Sequence, residues 1–335
     1  MPTSHSSMVG ILAYKRLQPV LVARRLALFE QGHPVFLLPY LYNPPFCSTF
    51  VPKYNMDNDK THINEAEQRL VTVVIPIYTL DLNETELMAL RQCFAVLGSH
   101  DIAVIKPRSL DVNRLSELVG TEPCYRVESF DDSYFAGREG YNRLMLSTSL
   151  YERFITSRYI MICQTDVYVF KDELAEWCHR GYDYIGAPWL PAVGDVSGWN
   201  VIQRAIYQLR RALGKKKSSS HAINLKFRVG NGGCSLRHTR HMLEQAARLA
   251  AEFAEINSAP YSPENYEDVV WSIRVNELNP GALHVAPWQE AVHFSIESHP
   301  TMAMRLTGGR LPMATHAFAR RRNRSYWKQH IPGLR

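Results

Sequence analysis

From residue 69 onward the apolar positions alternate between two textures. Residues 71–77 (VTVVIPI) form a dense β-branched run, whereas in residues 83–97 the apolar side chains Leu87, Leu90, Phe94 and Leu97 recur at helical spacing on one face. The alternation continues with predicted strands at 102–105, 125–127, 159–170, 183–185 and 225–229 and predicted helices at 110–118, 142–154, 171–180 and 239–256. Strands separated by helices in this order predict an α/β fold built on a mostly parallel, doubly wound sheet with helices on both faces.

Before residue 69 the pattern differs. A helical stretch at 19–30 ends at Gly32, a short apolar strand follows at 34–39, and a loop containing Pro44, Pro45 and Pro52 leads out of it. We expect residues 1–68 to be a small N-terminal extension and linker, 69–318 the main domain, and 319–335 a basic C-terminal tail. Within the domain, residues 194–224 read as a basic amphipathic insertion. Ile202, Ile206, Leu209 and Leu213 line one side of it, and six Lys and Arg lie between Trp199 and Lys217 with no acid among them. Residues 199–217 are either a surface helix packed by one face or a peripheral contact with a membrane or another anionic surface.

Composition changes this picture little. The chain has 335 residues, 46% of them hydrophobic, and a formal net charge of +6. That is a mild excess, concentrated locally, which suits an anionic ligand and does not call for nucleic acid. The six cysteines show no C-x-x-C and no regular spacing, so they read as reduced core thiols of a cytoplasmic protein. Residues 1–8 lack the pattern of a signal peptide.

One residue interrupts the hydrophobic logic. The run YIMICQTDVYVF at 159–170 is apolar on either side of Asp166. Asp172 stands ready to cap the following helix, so Asp166 is surplus to capping. A carboxylate amid buried positions needs a cation, a donor or water, which leaves a ligand or metal role against a structural hydrogen bond. Residues 229–237 (VGNGGCSLR) place Gly230, Gly232 and Gly233 where backbone approaches something closely. The third position of a dinucleotide fingerprint is Ser235, and no acidic strand end follows, so a nicotinamide-dependent oxidoreductase is disfavoured. No Walker A sequence is present. In SPENYEDVVWS, Ser262 and Pro263 read as a helix start, with Glu264, Glu267 and Asp268 loading its positive end.

The segments VVIPIYT, YNRLMLSTSLYERF, MICQTDVYVF, YIGAPW, GNGGCSLR and YEDVVWS occur in this order. Together they resemble a family of uncharacterised proteins similar to GT-A glycosyltransferases (nucleotide-diphospho-sugar transferase-like) over about residues 70–318. The resemblance implies a GT-A-like fold and transfer of a sugar from a nucleotide-sugar donor to a carbohydrate or glycolipid acceptor, as in surface polysaccharide synthesis. It further implies that Asp166 and His316 hold a divalent cation, Mn²⁺ or Mg²⁺. The first acid of the family's Asp-x-Asp is replaced by Gln164, which puts metal use in question. By the same resemblance, Pro76, Tyr78, Thr79, Asn142, Arg143, Gln164 and Asp166 would contact the donor. Trp189, Gly230, Asn231, Gly232 and Gly233 would shape the acceptor or sugar pocket. Asp268 would act as general base, with Glu267 orienting the acceptor. A catalytically inactive nucleotide- or sugar-binding protein of the same fold is the alternative.

Overall fold

The computed structural model describes residues 68–120, 124–191, 225–259 and 262–335. The elements expected within 1–67 and the insertion at 194–224, including 199–217, lie outside the described residues.

Among the described residues the central sheet has six strands. Four run parallel in the order β3 (Arg126–Phe130), β2 (Asp101–Pro107), β1 (Arg69–Pro76) and β4 (Ser157–Cys163). The sheet continues through β7 (Cys234–His238), antiparallel to β4, to β6 (Tyr184–Gly186), antiparallel to β7. The β-branched run of β1 is buried throughout its C-terminal six residues because both of its neighbours lie within the sheet. The helix Glu84–Leu97 follows with its predicted apolar face buried at Leu90, Phe94 and Leu97. Asn83 starts it with a capping box: its side chain accepts from the Thr85 and Glu86 amides while Glu86 accepts from the Asn83 amide.

Several expectations are corrected. Residues 159–170 are two strands in two sheets: β4 ends at Cys163, and β5 (Val167–Val169) pairs antiparallel with β9 (Ala314–His316), which itself pairs parallel with β8 (Ser295–Ile296). The turn between them is closed by the Val167 amide donating to the Gln164 carbonyl at 3.0 Å. The predicted strand at 225–229 is reduced to one bridge, Val229 with Pro188, because Phe227 sits at φ 58°. The helix predicted at 142–154 is two, Gly137–Met145 and Thr148–Arg153, since Ser147 caps a new start. That predicted at 239–256 breaks at Leu249 into Thr239–Arg248 and Ala250–Ser258.

The C-terminal segment is not a tail. Residues 321–327 form a helix, and Trp327, Ile331 and Leu334 are buried against Ala89, Tyr168 and Phe318. Trp327 ends the helix, and Ile331 and Leu334 are carried by the turns that follow it, a packing that the surrounding arginines conceal in the sequence. Cys93 and Cys163 are buried free thiols whose sulfurs lie 3.6 Å apart. Among the described residues no helix is long and apolar enough to cross a membrane.

Candidate functional site

In a parallel sheet, ligands collect beyond the carboxyl ends of the strands, where the strand order reverses. Here the reversal lies between β1 and β4. The chain leaving β1 carries Thr79, exposed, and Tyr78, 39% exposed with part of its side chain packed, and the chain leaving β4 carries Gln164, Thr165 and Asp166. Asp166 occupies the junction between the two sheets. Its side chain is 37% exposed and lines a cleft of about 560 Å³ together with Asn83, Thr85, Arg320 and Arg324.

β9 delivers His316 to the same place. Its Nε2 lies 2.9 Å from Asp166 Oδ1, and its Nδ1 lies 3.9 Å from Glu297, which Arg320 approaches at 3.5 Å. The close approach to Asp166 is off the hydrogen-bond axis, so both ring nitrogens of this buried imidazole lack an aligned partner. Burial pushes the Asp166 carboxyl up, but the charge and contact of His316, with Arg320, outweigh it and leave the group below its ordinary range. For His316, burial opposes protonation, and Asp166 and Glu297 overcome it, so its pKa is raised.

The glycine-rich turn packs against Gln164 and His316. A Cβ at Gly233 would stand 2.5 Å from Gln164 Oε1 and 2.7 Å from His316 Nε2, and the Gly233 carbonyl accepts from the Gln164 amide at 2.9 Å. A Cβ at Gly232 would collide with the Glu267 carboxylate, and one at Gly230 with the Trp189 ring. The turn is glycine-rich because backbone there packs directly on functional side chains. Asn231, buried at φ 63°, turns its amide onto Asp268 Oδ2 at 2.9 Å.

The adjacent acids have opposite fates. Glu267 is buried and forms an ion pair with Arg237 at 2.9 Å, itself bonded to Ser235 Oγ and the Tyr151 hydroxyl. Burial pushes the Glu267 carboxyl up against the pull of Arg237. Asp268 is partly accessible and accepts from the Asn231 and Val269 amides. Burial, then the charges of Glu267 and Glu297, raise its pKa to about 7. Directly after these acids, Val270–Arg274 widens into a π-helical stretch, a local distortion that often accompanies functional sites. Tyr78 feels the same field: burial first, then Glu267 and Asp166, push its hydroxyl well above its ordinary value.

Residues 124–316 match the profile of the family described as "Protein of unknown function (DUF5672)". The chain belongs to the DUF5672 family. No curated protein matches it in sequence. Among solved structures it is similar to mouse xyloside xylosyltransferase 1 in its apo form, with 10% identity, TM-score 0.44, and coverage of 74% of this chain and 97% of that one. It is also similar to the galactosyltransferase LgtC in complex with donor and acceptor sugar analogues, with 13% identity, TM-score 0.43, and coverage of 73% and 86%. A third is core-mannan synthase A from Aspergillus fumigatus in its Mn/GDP form, with 10% identity, TM-score 0.40, and coverage of 69% and 75%.

In this DUF5672 chain Asp166 lines the cleft and touches His316, Gly233 packs on Gln164 and His316, Gly232 packs on Glu267, and the Asn231 amide holds Asp268. Other residues singled out in the sequence have protein partners of their own. Asn142 is buried and bonds the Glu267 amide at 2.6 Å and the Asn265 carbonyl at 3.0 Å. Arg143 donates to the Ser133 carbonyl, and the Thr79 hydroxyl accepts from the Asp81 amide. Pro76 ends β1, buried, opposite Ile105. Trp189 lies over Gly230. The expected cap at Ser262 makes no side-chain bond, and Pro263–Asn265 is a 3₁₀ turn; Asn142 satisfies the start of the acidic segment instead.

Sequence inspection missed Glu297 and Arg237. Glu297 follows the two-residue strand β8 just as Asp166 follows β4, too short a strand to recognise by alternation. Arg237 stands at a fully buried position of a strand. A lone cation inside the apolar pattern of CSLRH signals a buried counter-charge.

A second cluster stands apart. The ligand-capable atoms of Asp183, His238 and His241 all lie within 4.8 Å of one another. Burial and the neighbouring His241 push the His238 pKa down to about 4, while the Asp183 hydrogen bond raises that of His241.

Proposed function

We propose that this protein is a glycosyltransferase that uses a nucleotide-sugar donor, with the acceptor hydroxyl activated by Asp268. The observation that carries this is the pair of Asp166 and His316 at the switch point of the sheet, linked by the glycine-rich turn to Asp268, which the Asn231 amide holds.

Asp166 and His316 fit a divalent cation. An oxygen and a nitrogen donor stand 2.9 Å apart, and the imidazole is buried with no aligned hydrogen bond. Such an ion, Mn²⁺ in preference to Mg²⁺ because one donor is an imidazole nitrogen, would supply charge neutralisation for a departing diphosphate. Gln164 occupies the position of the family's first acid, so the protein offers one carboxylate there, with Arg320 and Arg324 lining the same cleft as further cationic contacts. Tyr78 presents an aromatic surface beside Phe135 and Tyr141 at the mouth of β1, suited to the base or ribose.

Asp268 takes the proton of the acceptor hydroxyl. Two backbone amides hold the carboxylate in one orientation, and a pKa of about 7 balances availability against basicity at neutral pH. Glu267 acts through position and field: held by Arg237, it raises the Asp268 pKa while remaining directed away from solvent. This role for Asp268 belongs to transfer with inversion at the anomeric carbon.

A panel of UDP-, GDP-, CMP- and dTDP-sugars with and without Mn²⁺, read by thermal shift and by nucleoside diphosphate release, tests the proposal. One donor class should stabilise the protein, and Asp166→Asn should remove the Mn²⁺-dependent part of that stabilisation. Stabilisation without turnover, unchanged in Asp268→Ala, would instead favour a catalytically silent binding protein, the alternative that Gln164 supports. No stabilisation by any donor would refute both.

A further inference from the structure

The cluster of Asp183, His238 and His241 lies at the end of the sheet opposite the cleft. Cys163 pairs with Cys234 at the cleft end of β4 and β7, whereas Tyr159 pairs with His238 at the other. Four residues of strand separate the two ends of β7, about 13 Å. The cluster therefore takes no part in the chemistry above.

Its three side chains are fixed before any ligand arrives. The Asp183 amide donates to the His284 carbonyl at 2.8 Å, and the Asp183 carbonyl accepts from the His238 amide at 2.9 Å. Asp183 Oδ2 accepts from the His284 amide at 2.7 Å, which orients the carboxylate and leaves Oδ1 facing the histidines. His238 ends β7 and caps the helix Thr239–Arg248, its ring held edge-on against Tyr159 at 5.0 Å. His241 lies in the first turn of that helix, with its Nδ1 2.5 Å from Asp183 Oδ1 and its ring 3.9 Å from that of His238.

A surface Asp–His pair would account for two of these residues. Beyond that pair and the His238 cap, ligand atoms of all three residues converge within 4.8 Å, and the carboxylate is oriented by a backbone amide from outside. Metal-binding histidines and carboxylates are held by such outer hydrogen bonds. Two imidazole nitrogens and one carboxylate oxygen form a donor set for Zn²⁺ and its late first-row neighbours, not for Mg²⁺ or Ca²⁺, which prefer oxygen throughout. The His241 side chain is 46% exposed, which gives an entry path and room for water as a further ligand.

We propose that Asp183, His238 and His241 form a second metal site, selective for a late first-row divalent cation such as Zn²⁺. Bound there, the ion joins the start of β6, the end of β7 and the first turn of the following helix at the edge of the sheet.

Titration of the full-length, chelator-stripped protein with Co²⁺, followed by visible absorption, and with Zn²⁺ by calorimetry tests it. In Asp166→Asn, where the cleft pair is broken, one equivalent should bind with histidine-type Co²⁺ bands, and saturating Zn²⁺ should raise the melting temperature by roughly 5 °C. Asp166→Asn should leave this binding intact, which separates it from the cleft. His241→Gln retains a hydrogen-bond donor for Asp183 but is a poor ligand, so it should weaken Zn²⁺ binding at least tenfold. The proposal is overturned by absence of Zn²⁺ binding in the unaltered protein. Binding that survives His241→Gln, or that is lost in Asp166→Asn, overturns it equally.

Discussion

Replacing Asp268 by Asn should remove a loss of stability that sets in as pH rises to neutrality, together with the group proposed to activate the acceptor. Because Asn has one acceptor oxygen where two backbone amides donate, it forfeits one of those bonds at every pH. In the folded chain, burial and the charges of Glu267 and Glu297 move the Asp268 pKa from 3.8 to about 7. A raised carboxyl pKa means that the native state holds this proton more tightly than the unfolded chain does. Below about pH 4 both states are protonated and the contribution to stability is fully present. Between the two pKa values only the native state binds the proton, so stability falls as pH rises, and above about 7 the loss is complete. At 1.36 kcal/mol per pH unit the full loss is about 4 kcal/mol. Partial access of solvent to the side chain reduces it to roughly 2 kcal/mol. The Asn side chain stays neutral throughout, so the variant escapes this loss. Denaturant unfolding of both proteins at pH 5, 6, 7 and 8, without metal, reads Asp268 together with the acids coupled to it, because titrating groups remote from Asp268 cancel in the difference. The advantage of Asp268→Asn should grow with pH up to about 7 and then level off. A difference independent of pH, or one that shrinks as pH rises, would refute the proposed origin of the shift.

Three further outcomes follow from the packing. Gly233→Ala places a methyl group 2.7 Å from His316 Nε2 and 2.5 Å from Gln164 Oε1; it should cost about 1–3 kcal/mol in denaturant unfolding and weaken Mn²⁺-dependent donor binding about tenfold or more. Arg237→Met strands the buried Glu267 carboxylate and should destabilise by about 3–5 kcal/mol, most of it recovered when Glu267→Leu is added; a single variant that unfolds at the parental denaturant midpoint would show that the pair is dispensable. Asn83→Ala removes the capping box of the helix beside the cleft and should lower stability by about 1 kcal/mol in thermal unfolding, against no change if solvent replaces the cap.

The sequence alone determined the parallel strands and their order of appearance, because β-branched runs such as that of β1 and helical stripes such as Leu90, Phe94 and Leu97 have periods set by local geometry. It also marked Asp166, since a carboxylate within an apolar run has few explanations. What it could not determine was where the chain changes sheets. Whether residues 159–170 are one strand or two depends on β9, nearly 150 residues later, arriving to pair with Val167–Val169. The same distance hid the partners of the acids. Glu267 and Asp268 are adjacent in sequence, yet one faces Arg237 from β7 and the other faces the Asn231 amide and the field of Glu297. Local sequence fixes which groups are present; only the fold sets the charges, burial and backbone amides around each carboxyl, and those decide which one holds a buried cation and which is left near neutrality, free to exchange a proton.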